Sequence, residues 1–238
     1  MVKSMSNRNY PFSLLFFILL GVLNTPSAKA TGLIPETSML FINEEAKGGS
    51  MNVKNSDERP QLLYTSITEL PGEKGFHLIA TQPVTRVEGG DTQHVRFVLQ
   101  TDAPLKVEHM ARVVFEGIPQ KEVGKDAVGF NIRQDLPVII HPSGIPERQD
   151  AWTLLTWKVN GTAITLQNTS PYVVRFQPQS VALPSKTTIK FPRSYILPGQ
   201  SIVVDTGRSL AGDTQVTFSP VSRYGVQIEN YTAQLNAH

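Results

Sequence analysis

Five histidines are the side chains with the widest chemical range in this chain: His77, His94, His109, His141 and His238. A metal or general-base site needs such groups at short, repeated spacings, and none of them falls in an H-E-x-x-H arrangement. Asp91 and His94 are near neighbours, but Asp91 follows Gly89 and Gly90 and reads as a turn residue that leads into a strand. No G-x-S-x-G elbow, phosphate loop or dinucleotide fingerprint is present. The chain has no cysteine, which removes thiolate catalysis, thiolate metal ligation and disulfides together. A sugar site would call for paired acids or exposed aromatics on one face. The only tryptophans, Trp152 and Trp157, lie in an alternating segment that suits core packing. Asn160, Asn168 and Asn230 each begin an N-x-S/T triplet, yet each stands where a turn or strand end is expected, an ordinary place for asparagine. These residues argue against an enzyme and call for neither metal nor cofactor.

The elements that hold these residues are short strands. Lys3 and Arg8 precede an apolar run from Phe12 to Leu23, and small residues follow at Ala28 and Ala30. This is the pattern of a secretory signal peptide spanning 1–30 and cut after Ala30. Its removal takes away Lys3, Arg8 and Lys29 and no acid, so the formal net charge of +2 becomes −1. The basic balance of the whole chain therefore gives no reason to expect nucleic acid, and no run of Lys and Arg interleaved with aromatics exists. No other segment approaches the length of a membrane span, so the mature chain is expected to stay out of the bilayer.

From Ser38 onward, apolar runs such as "SMLFINEE", "SMNVKN", "LLYTSITEL", "HLIATQPVTRVEGG", "HVRFVLQ" and "ARVVFEGIP" are separated by Gly, Pro, Asn and Asp. That spacing predicts antiparallel sandwiches. "SGIPERQD", Ser143 to Asp150, is polar and turn-rich and reads as a linker, after which a second series runs from "TLLTWKVNG" to "VQIENYTAQL". The expected architecture is all-β: two immunoglobulin-like β-sandwich domains in tandem, 31–142 and 143–238, each of ordinary domain size.

One strand changes rhythm along its length. In "AVGFNIRQDLPVIIHP", Val128, Phe130 and Ile132 alternate with Gly129, Asn131 and Arg133, whereas Leu136 to Ile140 are apolar without a break. Alternation marks a strand with one dry face, and an unbroken apolar run marks a strand covered on both. The first half either faces this protein's own core or presents its dry face to another chain.

With "IATQPVTRVEGG", "ARVVFEGIP", "VGFNIRQDLPVIIHP", "LQNTSPYVVRF" and "YILPGQS" in this order, the chain resembles the periplasmic pilus chaperones of the PapD-like family, from about Thr37 to Tyr224. The short loop Pro119–Lys125 and the lack of cysteine resemble that family's short-loop branch. The resemblance implies a periplasmic protein that binds pilus or fimbrial subunits by lending them strand G1 of its first domain, a form of β-strand addition. It would then pass them to an outer-membrane usher. Val128, Phe130 and Ile132 become the donor residues, and self-association of the free chaperone is one way that edge could be shielded. The competing reading is an exported adhesion or binding module that reuses the same fold.

Two expectations follow from departures from the family pattern. The family anchors the subunit's terminal carboxylate on an Arg of strand A1 and a Lys of G1. Ser38 and Pro137 stand at those positions here, so Arg133, Arg112, Lys106 or backbone amides are the substitutes, with Arg133 first because it lies on G1. The family also ties its domains with an acid, an Arg and an acid. The corresponding residues are Glu108, His141 and Arg223, which predicts either a Glu108–Arg223 pair with His141 between them or three separately solvated side chains.

Overall fold

The computed structural model describes residues 32–119 and 131–237. The expected signal peptide, Val128, Phe130 and the loop after Pro119 lie outside the described residues. Two sheets account for the remainder. The first is built from β1 (Leu33–Pro35), β2 (Leu40–Asn43), β3 (Gly48–Asn55), β4 (Gln61–Glu69), β5 (Phe76–Ala80), β6 (Val84–Val87), β7 (Thr92–Thr101), β8 (His109–Pro119) and β9 (Ile132–His141). Its strand order is β5-β7-β3-β2-β9-β8-β4-β6, with β1 attached to β3. The run "HLIATQPVTRV", read from sequence as continuous, is two strands, because Thr81 to Pro83 interrupt it between β5 and β6.

The first sheet folds on itself at one corner. β2 meets β3 only at Asn43↔Gly48, while it pairs in parallel with β9 from Leu40↔Val138 to Asn43↔His141. Gly48 makes the corner possible. Its φ is +153°, and a Cβ there would lie 2.2 Å from the Phe97 carbonyl oxygen, so no other residue fits. The layers on either side of the corner close over Ile42, Val53, Phe97, Val113, Phe115, Val138 and Ile140, all buried.

The second sheet comprises β10 (Leu155–Asn160), β11 (Ala163–Asn168), β12 (Val174–Leu183), β13 (Thr187–Lys190), β14 (Tyr195–Ile196), β15 (Ser201–Asp205), β16 (Gln215–Val221) and β17 (Tyr231–Ala237). Its order is β13-β12-β16-β17-β10-β11-β15, with β14 on β12. Trp157, fully buried, packs against Phe218 and Phe191 with ring centroids 5.0 and 5.8 Å away, which gives the aromatic its core role. The run "VQIENYTAQL" supplies a strand only from Tyr231.

The chain between the two sheets is Pro142 to Asp150 without strand, then a short 3-10 turn at Ala151–Leu154. A third apolar cluster, Met39, Met110, Ile139, Val173 and Leu197, lies apart from both cores and joins residues of the two sandwiches.

Asn168 shows how the second sandwich shapes the loop that meets the first. It is wholly buried. Its amide nitrogen donates to the carbonyls of Tyr172 (2.7 Å) and Ile196 (3.3 Å), and its oxygen accepts from the backbone N–H and the hydroxyl of Ser170. A glycan cannot be attached to a side chain so enclosed. Asn168→Asp keeps the size but sets a carboxylate against two carbonyl oxygens. It should cost about 2–4 kcal/mol, read as a lower denaturant midpoint, because two buried acceptors lose their donor.

Candidate functional site

β9 is bordered differently along its two halves. On one side it pairs with β8 throughout, from Gly117↔Ile132 to His109↔Ile140. On the other side β2 joins only at Leu40↔Val138. From Ile132 to Pro137, therefore, β9 has no strand partner on that side among the described residues. Proline has no N–H to give a ladder, so Pro137 fits the place where the neighbouring strand is missing.

The two faces of β9 differ as well. Leu136, Val138 and Ile140 point into the first core, and Ile139 belongs to the cluster shared with the second sandwich. The unbroken apolar run is thus covered on both faces, as a doubly buried strand requires. Ile132 is on the same side of the strand as Leu136 but beyond the edge of the core, and 45% of its surface is exposed. Ile34 beside this end of the sandwich is equally exposed at 45%. An apolar strand face left open together with its hydrogen-bonding edge is a template for another strand.

The basic residues expected near this edge occupy different surroundings. Arg133 is exposed, opposite Glu116 on β8, and makes no hydrogen bond or ion pair with the described residues. Lys106 is exposed in the loop that leads into β8, just after buried Leu105 and close to Glu108, so it belongs to the far end of the sandwich. Arg112 stands opposite Pro137 on β8. Its Nε donates to Asp135 Oδ1 and its Nη2 to the Asp135 carbonyl, both at 2.8 Å. Ser38 is exposed where the second sandwich comes close. A Cβ on Gly225, whose φ is +82°, would lie 2.6 Å from Ser38 Oγ.

Glu108 and His141 meet directly. Both are buried, and Glu108 Oε1 lies 2.8 Å from His141 Nδ1. The other oxygen, Oε2, accepts the Val173 N–H at 2.9 Å, and the Glu108 N–H donates to the Pro171 carbonyl at 2.7 Å. One residue of the first sandwich therefore holds the loop of the second at two points. His141 Nε2 faces the Ile145 carbonyl at 3.2 Å. A carbonyl only accepts, so Nε2 carries the hydrogen of that contact.

The expected Glu108–Arg223 pair does not form. Both Glu108 oxygens are already taken, by His141 and by Val173. Arg223 instead lies over the Phe41 ring, 4.3 Å from its centroid, with Nη1 3.0 Å from Glu147 Oε2. Its charge still reaches Glu108 through space. The alternative expectation of three separate, solvated groups fails equally, since only 8% of the Arg223 side chain is exposed.

Sequence reasoning passed over Arg175, which sits inside the quoted run "LQNTSPYVVRF". Its guanidinium Nη1 lies 3.3 Å from Met39 Sδ of the first sandwich. Nothing in the local pattern of β12 reveals which strand of the other sandwich it faces.

Burial raises the Glu108 pKa above 4.5, against the pull of His141, the Val173 N–H and Arg223. A carboxyl whose folded pKa is raised gives stability that is complete below its unfolded pKa and is lost as pH rises through the folded value. Glu108→Gln can satisfy Val173 with its oxygen and His141 Nδ1 with its amide without any ionisation. Its thermal midpoint should therefore gain on that of the parent protein as the pH is raised from about 5 to about 8. Glu108→Ala should lose about 2 kcal/mol or more throughout, because the Val173 N–H is left buried and unpaired.

Residues 32–146 match the family described as pili and flagellar-assembly chaperone, PapD N-terminal domain, and residues 150–232 match pili assembly chaperone PapD, C-terminal domain. The chain is 47% identical over 207 residues to the uncharacterized fimbrial chaperone YhcA of Escherichia coli (strain K12), covering 87% of this chain and 92% of that protein. It is 22% identical over 218 residues to the chaperone protein MrkB of Klebsiella pneumoniae, covering 85% of this chain and 91% of that one. Among solved structures, the Salmonella enterica SafA pilin–SafB chaperone complex contains a chain that superposes with a TM-score of 0.70 at 16% identity, over 88% of this chain and 99% of that one. The Escherichia coli chaperone DraB superposes with a TM-score of 0.66 at 18% identity, over 87% of this chain and 98% of that one. These two likenesses speak for the fold.

Proposed function

Because the chain belongs to the PapD-like family of pilus-assembly chaperones, we propose that it binds fimbrial subunits in the periplasm through the open edge of β9 and hands them to an outer-membrane usher. The observation that carries this reading is that β9 has no strand partner on one side from Ile132 to Pro137 among the described residues. A subunit strand laid along that edge gains main-chain hydrogen bonds, and Val128, Phe130 and Ile132 then enter its apolar groove. Burying three such side chains contributes about 1.5–3 kcal/mol each before the cost of ordering the segment. The activity is binding, and no bond is made or broken. Export is supported by the N-terminal pattern up to Ala30. Self-association of the free protein would cover the same edge.

The test is a tagged chaperone recovered from periplasm, with any co-purified protein identified by mass spectrometry as a fimbrial subunit or not. Phe130→Asp combined with Ile132→Asp should leave the melting temperature nearly unchanged, since Ile132 lies outside the core, and should abolish subunit recovery. A double variant that protects its subunit at the parental yield rules out strand donation. A double variant that unfolds would show that these residues face the protein's own core.

A further inference from the structure

Glu108 stands near two basic side chains and is bonded to only one of them. Its Oε1 lies 2.8 Å from His141 Nδ1, inside its own sandwich. Arg223, from the second sandwich, acts on it through charge alone. The Phe41 ring borders both: its centroid is 5.7 Å from that of His141 and 4.3 Å from the Arg223 guanidinium carbon. Arg223 is poorly supplied with acceptors. Its Nη1 meets Glu147, but Nε and Nη2 are buried with no hydrogen-bond partner among the described residues. Buried donors left unpaired are costly, so a carboxylate oxygen set free beside them would be drawn to them.

The loss of one hydrogen frees that oxygen. His141 Nε2 donates to the Ile145 carbonyl at 3.2 Å, which leaves Nδ1 to face Oε1. Two such atoms attract at 2.8 Å only with a hydrogen between them, whichever of them carries it. Without it two lone pairs face each other, and the carboxyl turns away. Burial raises the Glu108 pKa above 4.5 and so favours the state that keeps the hydrogen. The bond to His141 is therefore complete at low pH and is lost as pH rises through the raised value.

The other charged groups around the pair are engaged elsewhere or stand apart. Glu44, after β2, accepts the N–H groups of Leu105 and Ser143. His109 on β8 is bound to Glu73 within the first sandwich. Arg148 of the linker is held by Asp150, and Arg175 of β12 rests on Met39. Lys106 is exposed before β8. Of all these bases, only Arg223 joins His141 in drawing on the Glu108 charge.

We propose that Glu108 is a two-position switch worked by a proton: with it the carboxyl is bonded to His141, and without it Oε1 turns to Arg223 of the second sandwich. Oε2 holds the Val173 N–H, and the Glu108 N–H holds the Pro171 carbonyl, so the turn carries that loop with it. The residue passes from a bond within one sandwich to an ion pair across both, and the angle between them is reset. The inference goes beyond the chaperone reading and needs no subunit to operate.

The chain has no cysteine, so Lys54→Cys on β3 and Lys190→Cys on β13, both exposed, each take a spin label without competition. The distance distribution between the labels reads the angle. In the labelled parent it should move from one maximum to another as pH rises from about 5 to about 8. His109→Gln should behave like the parent, because the His109–Glu73 pair touches only the first sandwich. Glu108→Gln bonds to His141 and Val173 without a titrating hydrogen and should stay at the low-pH maximum throughout. Arg223→Gln should keep the first maximum and lose the second. A distribution that does not move in the parent, or that moves as far in Glu108→Gln, overturns the switch. So does a second maximum that survives in Arg223→Gln. Should Arg223→Gln fail to fold, Glu108→Gln decides alone.

Discussion

The pairing of β2 with β9 begins at Leu40↔Val138, and the rest of the molecule is organised around the gap before it. A strand inside a sheet ordinarily has a neighbour on each side, and an unpaired edge is a hazard in any protein that must stay soluble. Here the gap follows from chain geometry. β1 pairs with β3 in one layer, and after Pro35 the chain crosses over and reaches the other layer only at Leu40. The crossing leaves the first half of β9 uncovered. The second half then carries the structural burden for the whole strand: it buries Val138 and Ile140 in one core and Ile139 in the cluster between sandwiches.

The buried acid at the contact between the sandwiches has a partner for each of its oxygens. Glu108 splits its two oxygens between its own sandwich, at His141, and the other, at Val173. A charge buried without partners would cost several kcal/mol, so this division matters more than the count of ion pairs. Arg223 sits where an acid would be expected from the family pattern, and a direct bond to Glu108 would have required displacing one of those contacts. The Phe41 ring and Glu147 accommodate it instead. Arg175 is a second cation at the same seam, half-buried, with no acid beside it among the described residues and with Nη1 against Met39 Sδ.

Sequence reading reached the architecture because it depends on local pattern. Alternating runs and turn residues identify strands, and the change of rhythm at Leu136 marks the point where β9 gains a second cover. Glu108 and His141 were found only through the family resemblance, since one precedes β8 and the other closes β9. Arg175 and the Arg223–Glu147 contact were illegible for a physical reason. They depend on how two separately folded sandwiches meet, and neither strand periodicity nor burial pattern encodes that register. Lys106, Arg112 and Arg133 were candidates by charge, and charge alone does not say which end of a strand faces the seam.

The open edge also has to refuse partners. Main-chain pairing attracts any extended segment, so affinity from hydrogen bonds carries no selection. Three features narrow it. Arg133 and Asp135 put charges on the outer face of the free stretch, which disfavours a flat sheet stacking there. Pro137 withholds a donor at its end, and β2 blocks continuation beyond Val138. What remains is a short free edge that takes an extended segment only as far as Val138. A segment that ends by that point can pair along the whole of it, and a longer strand that runs straight on meets β2. Selection is thus achieved by where the partner stops as much as by what side chains it presents.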